Sequence, residues 1–206
     1  MTGSNILQAL LSTPNSELIV AEYHEKIRQG QSKLTDFMNL IHENMKAEFI
    51  NGEIVMHSPV GKRHWVVSTR LSATLSSFVE TKAFGLVGVE KVMIDCSRNK
   101  YESDIVFFRT TKSDTFTENQ LLFPPPDFVV EILSDSTRQN DCHIKFQDYA
   151  ALGVQEYWIV DPEIQTIEQY FLKEGQFILT KRHKHDDQIE SIVISGFILD
   201  IAQIWN

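Results

Sequence analysis

Residues 127–133 read DFVVEIL, a short apolar run that carries one acidic residue, Glu131, inside it. A continuous apolar run of this length is typical of a strand that is buried on both faces in the centre of a sheet. An ionised carboxylate in such a strand is energetically costly unless it is paired or binds a cation. The run therefore predicts the central strand of the fold, and it also predicts a partner for Glu131.

The segments after this strand alternate between helical and extended patterns. Their apolar spacing predicts a helix over 138–152, a strand over 155–160, a hairpin of 166–172 with 176–181, and a last strand over 189–194. A strand that leads directly into a helix and then into another strand indicates an α/β arrangement with a mixed sheet.

The segments before the central strand begin with helices. Helical spacing predicts segments over 17–29, ended by Gly30, over 34–41, with Thr35 as its cap, and over 62–80. Strands are predicted at 86–95 and 104–108, and a hairpin at 48–55 around the Asn-Gly turn. The order predicts an α/β (α+β) fold, a mixed sheet flanked by helices. It has an N-terminal helical extension over 1–33, a domain over 34–206 and a C-terminal β-hairpin.

Composition narrows the class of protein. The chain has 206 residues, 42% of them hydrophobic, and a formal net charge of −9. This length supports one substantial core.

The absence of a long apolar run and of a basic leader predicts a cytoplasmic protein with no membrane segment. Cys96 and Cys142 have neither disulfide nor zinc-site spacing. The negative charge argues against binding nucleic acid by bulk electrostatics alone, and the short basic runs at 62–64 and 181–185 are interpreted as solvated.

Two carboxylates and a lysine form the candidate reactive group. Asp104 opens the strand that precedes Glu131, and carboxylates from neighbouring strands supply the oxygen ligands that Mg²⁺ prefers. A cation is also needed to stabilise charge on a phosphate, and Lys145, on the helix after Glu131, is the candidate. A lysine at 133 would point to the same face as Glu131, but that position is Leu133. The alternative for Lys145 is a surface lysine paired with Asp141 or Asp148.

The residues resemble the Uma-two family of restriction-endonuclease-like proteins. The resemblance runs from about Leu34 to Trp205, and its strings are AEFINGEIVMHSP at 47–59, ESDIV at 102–106, PDFVVEILSDST at 126–137 and GVQEYWIVDP at 153–162, with Asp141, Lys145 and Tyr149 between the last two. This family belongs to the PD-(D/E)xK nuclease superfamily. The resemblance implies a restriction-endonuclease-like fold, a four-stranded mixed sheet flanked by helices. It also implies two metal-binding acids, Asp104 and Glu131, and a lysine moved to the following helix, Lys145.

Two positions depart from the superfamily pattern. Ser103 replaces the proline before the first acid, and Leu133 replaces the strand lysine. Three further residues are auxiliary candidates, each with a plain alternative. Glu48 is either an acid near the metal or a solvated hairpin residue, and His64 either contacts a phosphate from its helix start or packs at the surface. Asp127 either binds metal or caps the entry to the central strand.

Three functions compete at this point. The first is an endonuclease that uses Mg²⁺, with Mn²⁺ as a substitute, to cleave nucleic acid, with DNA preferred. The second is a catalytically inactive nuclease-fold module that binds nucleic acid or a protein partner. The third is a structural domain in which Glu131 and Lys145 only form a buried ion pair. A double-strand cut is most simply made by two centres, so a homodimer is expected, with the N-terminal helices and their residues Ile6, Leu7, Leu10 and Leu11 as its interface.

Overall fold

The computed structural model describes residues 3–41, 46–135 and 137–205. Within this part of the chain, nine strands form one mixed sheet, and a separate pair follows it. The strands of the sheet are β1 (Ala47–Ile50), β2 (Glu53–Met56), β3 (Gly85–Cys96), β4 (Asn99–Arg109), β5 (Leu122–Phe123), β6 (Phe128–Ile132), β7 (Glu156–Asp161), β8 (Thr166–Lys173) and β9 (Gln176–His183). The separate pair is β10 (Gln188–Glu190) with β11 (Ile198–Asp200).

The sheet runs in the order β2-β1-β4-β6-β7-β8-β9, while β3 pairs with β4 and β5 outside this path. β6 and β7 are parallel, and β4 is antiparallel to β6, so the sheet is mixed as expected. The helices are α1 (Gly3–Ser12), α2 (Ser16–Leu40), α3 (Lys62–Lys82), α4 (Thr110–Ser113), α5 (Lys145–Ala151) and α6 (Ala202–Trp205), with a π-helical segment at Asn140–Ile144. None of the helices described is long and apolar enough to cross a bilayer.

The central strand β6 separates two hydrophobic cores. Its residues Phe128, Val130 and Ile132 pack on one face, where α3 contributes its apolar stripe. Val129 and the following Leu133 pack on the opposite face, against α5. Side chains alternate between the faces of a strand, so Glu131 has the parity of the α5 face. The predicted buried central strand is therefore confirmed.

Two predicted helical segments are one helix in the structure. α2 runs without a break through Gly30, which was expected to end a helix, and Thr35 lies within α2, where its hydroxyl donates to the carbonyl of Gln31. A Cβ placed on Gly52, in the turn between β1 and β2, would lie 3.8 Å from the Gly30 Cα. A Cβ placed on Gly30 itself would meet no described atom within 4 Å, so no contact in the described structure requires glycine at this position, where it costs about 1 kcal/mol relative to alanine.

The predicted last strand over 189–194 is also shorter than expected. β10 ends at Glu190, because the buried Glu156 carboxylate accepts hydrogen bonds from the Ser191 hydroxyl and from the backbone N–H groups of Ile192 and Val193. These bonds turn the chain away from the strand. The hairpin β8–β9 and the parallel strand β7 agree with the sequence-based expectation.

The start of β3, where Gly85 pairs with Arg109 at the end of β4, supplies a test of the sheet. Gly85 has φ +148°, and a Cβ there would lie 1.9 Å from the Phe108 carbonyl oxygen. Gly175 has φ +75° with nothing within 4 Å of its Cβ position. Gly85→Ala should lower the free energy of unfolding by on the order of 3 kcal/mol, and the control Gly175→Ala by only about 1 kcal/mol. Urea unfolding of both variants measures this difference, and equal losses would contradict the assigned close contact.

Candidate active site

The acidic residues lie where the sheet divides. One edge of β4 pairs with β3, and the other pairs first with β1 and then with β6. Between these two neighbours, side-chain carboxylates replace backbone acceptors. The Glu102 N–H donates to Glu48 Oε1 at 2.9 Å, and the Ile132 N–H donates to Asp104 Oδ2 at 2.7 Å. Buried N–H groups need acceptors, so this division of the sheet fixes the positions of two acids.

Lys145 lies at the centre of these acids. Its Nζ is 2.8 Å from Glu48 Oε1, 3.0 Å from Asp141 Oδ1 and 3.4 Å from Glu131 Oε1. The lysine and Glu131 are each 2% exposed. The three carboxylates come from β1, the π-helical segment and β6, so one ammonium group joins three separate elements. Charge-assisted bonds of this kind are strong because water does not compete for them.

A π-helical turn gives Lys145 its partner on the same helix. The Lys145 N–H bonds to the carbonyl of Asn140, five residues earlier, in place of the ordinary α-helical acceptor. The Tyr157 hydroxyl donates to the Asp141 carbonyl at 3.0 Å and holds this turn against β7. The sequence predicted a regular helix over 138–152, and nothing in its spacing indicates the wider turn.

A second group surrounds Asp104. His64, in the first turn of α3, places Nε2 at 3.3 Å from Asp104 Oδ2. β3 carries a bulge at Glu90 and Lys91, both with positive φ, and Glu90 is thereby directed toward the same point. One ligand atom each from His64, Glu90 and Asp104 lie within 4.8 Å of one another. These three residues could hold a metal ion.

The electrostatics of the two groups differ. Burial alone would raise the pKa of Glu48, but the charges and hydrogen bonds of Lys145 and His57 lower it to about 2. For Glu131, burial raises the pKa well above its ordinary value in spite of the lowering effect of Lys145, and the charges of neighbouring carboxylates raise it further. Burial and the nearby Glu48 charge raise the pKa of Glu102 to about 7. The site holds more acid than its cations neutralise, so an added cation would be stabilised here.

Members of both groups line one pocket of about 270 Å³, although Glu90 is not among its lining residues. Four of the residues predicted from sequence line it, namely Asp104, Glu131, Lys145 and His64. Glu48 lies behind Lys145 and is 1% exposed, so its expected solvated alternative does not apply. The remaining lining residues include Lys46, His57, Glu102, Asp135 and Asp141.

Asp127 lies elsewhere. It precedes β6, about 13 Å along the strand from Glu131 at 3.3 Å per residue. Its carboxylate accepts the Arg109 N–H at 2.9 Å and pairs with Lys112 Nζ at 3.2 Å. Of the two readings left open for Asp127, the structure shows the contacts of a cap at the entry to the strand.

Comparison with known proteins places this geometry in a family. The Uma2 family, described as "Putative restriction endonuclease", matches residues 34–202. The chain belongs to this family. A crystal structure of a putative nuclease from Anabaena variabilis aligns with a TM-score of 0.71 at 20% identity, covering 84% of this chain and 96% of that one. The Uma2 chain therefore has a nuclease-like fold. None of the curated proteins compared matches it.

Several polar residues of this Uma2 site were not predicted from sequence. Glu102 and Asp104 are two residues apart on β4, and this spacing on a strand could have identified Glu102 as a neighbour on the same face. Asp141 was noted only as a helical neighbour of Lys145. Glu90 depends on a bulge, and His57 on a contact with Glu48 at 3.3 Å, for which the local sequence gives no signal.

The raised pKa of Glu102 predicts a pH-dependent stability. In the folded protein its carboxyl loses its proton near pH 7, but in the unfolded chain near the ordinary value of 4.5. The folded state thus binds the extra proton, and stability falls as pH rises through this window. Glu102→Gln cannot ionise, so without metal its Tm should exceed that of the unmodified protein near pH 8 and approach it near pH 5.

Glu118→Gln is the matched control for this measurement, because Glu118 is exposed and lies outside the pocket. Its Tm should follow the unmodified protein at both pH values. A Glu102→Gln variant that melts lower than the unmodified protein near pH 8 would contradict the assigned shift.

Proposed function

We propose that this pocket is the active site of a metal-dependent endonuclease that hydrolyses phosphodiester bonds in DNA. Asp104 and Glu131 are assigned as metal ligands and Lys145 as the charge-stabilising residue. The observation that supports this most strongly is the convergence of these three side chains, from two strands and a helix, on one pocket. His64 and Glu48 act as auxiliary residues in this proposal, through their contacts with Asp104 and Lys145.

The donor set fits a divalent cation. Carboxylate oxygens suit both Mg²⁺ and Mn²⁺, and they are supplied by Asp104 and Glu131, which line the pocket, and by Glu90, which lies close to Asp104. Burial and neighbouring acids raise the pKa of Glu131, a cost that a bound cation would relieve. When bound, such a metal activates water and stabilises the leaving oxygen of a phosphodiester.

The protein's own residues position charge around the phosphate. Glu48 and Asp141 hold Lys145 from two sides, so its ammonium group is oriented before substrate binds. Burial opposes a charged His64, but the Asp104 carboxylate raises the pKa of this histidine above its ordinary value. His64 can therefore donate a hydrogen bond at the mouth of the pocket, where the first turn of α3 also favours anions.

The burial of Lys145 also favours a second candidate, a purely structural ion cluster. A plasmid assay separates the two functions. With Mg²⁺ or Mn²⁺, the unmodified protein should convert supercoiled plasmid to open-circle or linear DNA. Glu131→Gln should abolish this activity, because it removes a ligand charge while keeping the side chain's size. Lys145→Arg keeps the positive charge in the cluster but moves it, so cleavage should slow by about two orders of magnitude.

The control for charge removal is Asp127→Asn, since Asp127 lies on the same sheet but outside the pocket. It should retain cleavage. Thermal melts of each variant with and without metal accompany the assay. A structural cluster would give a protein without cleavage, without a metal-induced rise in Tm, and with a loss of about 3–5 kcal/mol on removing the charge by Lys145→Met.

We further propose that the chain forms a homodimer through an N-terminal extension over residues 1–33. Several large apolar side chains of α1 and α2 are more than half exposed, namely Ile6, Leu7, Leu11, Leu18 and Tyr23. Sedimentation should show a dimer at micromolar concentration, and Leu11→Glu with Leu18→Glu should convert it to a monomer, since charge opposes apolar burial. A monomer across this range in the unmodified protein would count against the dimer.

A further inference from the structure

A cationic groove lies next to the pocket on α3. Lys62, Arg63 and Arg70 line it together with Val66, and the opposite wall is formed by Pro162, Glu163, Gln165 and Trp205. Its volume is about 450 Å³. Among residues 3–41, 46–135 and 137–205, no acidic side chain lies within ion-pair distance of these three cations, which are thus open to an external anion.

The other basic run of the sequence behaves differently. Lys181 on β9 pairs with Asp187 at 3.6 Å, and Arg182 pairs with Glu168 on β8. Two of the three Lys and Arg side chains of this run are therefore matched, while Lys184 has no ion pair among the described residues. In a chain of net charge −9, the three cations of α3 that line one groove form a local positive surface.

The groove and the pocket share the first turn of α3. Gly61 and His64 line the pocket, while Lys62 and Arg63 line the groove. From Lys62 to Arg70 the helix rises about 12 Å at 1.5 Å per residue. This length corresponds to about three or four nucleotides of one strand at roughly 3.4 Å each. The cations at the two ends of this stretch thus have the spacing to contact phosphates about three or four nucleotides apart on one strand.

We propose that this groove binds the sugar-phosphate backbone of a nucleic acid strand whose neighbouring phosphodiester lies in the pocket. The inference rests on the proposed nuclease function and adds the surface that positions the substrate. The apolar side chains of Val66 and Trp205, on opposite walls, suit the sugars of the strand, and the three cations suit its phosphates. The positive end of the helix dipole at Lys62 adds to the attraction for a phosphate.

The test compares two double variants that remove equal charge. Arg63→Ala with Arg70→Ala alters the groove, and Lys181→Ala with Arg182→Ala alters the β8–β9 hairpin. Binding of short fluorescent duplex DNA, single-stranded DNA and RNA is measured by anisotropy in EDTA, so that cleavage plays no part. The groove variant should bind about tenfold more weakly, and the slope of log K against log salt should be smaller in magnitude by about two. The hairpin variant should match the unmodified protein in both affinity and slope.

The outcomes are distinct. Three results would overturn the groove proposal: an equal loss of affinity in both variants, no loss of affinity in the groove variant, or no binding of any probe by the unmodified protein. Thermal melts confirm that the variants are folded. If the groove variant cleaves plasmid as fast as the unmodified protein, the nuclease proposal stands and the groove proposal is rejected. If binding depends on the groove but the unmodified protein cleaves no plasmid, the groove proposal stands and the nuclease proposal is rejected.

Discussion

The buried ammonium group of Lys145 is the interaction on which the rest of the site depends. Moving a charge out of water costs several kcal/mol per ion. Close, well-oriented partners of opposite charge can offset about that amount. Lys145 has three such partners, Glu48, Glu131 and Asp141, and each comes from a different element. The first hairpin, the central strand and the helix after it must therefore be in place together. The packing of these three elements and the assembly of the pocket therefore occur together.

The irregular features of the fold cluster around this interaction. The sheet divides beside β4, β3 bulges at Glu90 and Lys91, and the helix before Lys145 contains a π-helical turn. Each gives up regular backbone hydrogen bonds or favourable backbone angles, and each places an acidic side chain close to Lys145 or to Asp104. One further register shift of the described sheet lies away from this interaction, between Gln169 and Tyr170 on β8. This concentration of costly geometry is typical of a site maintained for chemistry, because packing alone would favour regular elements.

The order of strands and helices could be predicted because its signals are local. The apolar run around Glu131 and the Asn-Gly turn act over a few residues, and both agree with the structure. Gly30 was misread because a glycine commonly ends a helix, whereas α2 continues through it to Leu40. In the site, Asp104, Glu131 and Lys145 follow from strand order and the family resemblance. The reach of Glu90 and the burial of Glu48 depend on how distant segments meet.

Leu133 explains why the lysine comes from a helix in this chain. The position two residues after Glu131 faces the same side, but Leu133 is 6% exposed and packs with Tyr149 in the core beneath α5. A lysine there would place its charge among aromatic rings, whereas Lys145 at the start of α5 has its Nζ within 3.4 Å of three carboxylates. The strand thus keeps an apolar anchor for α5, and α5 in turn supplies the cation. An acidic pocket of this kind repels phosphate on its own, and in the proposed complex the cations of α3 would supply the attraction that it lacks.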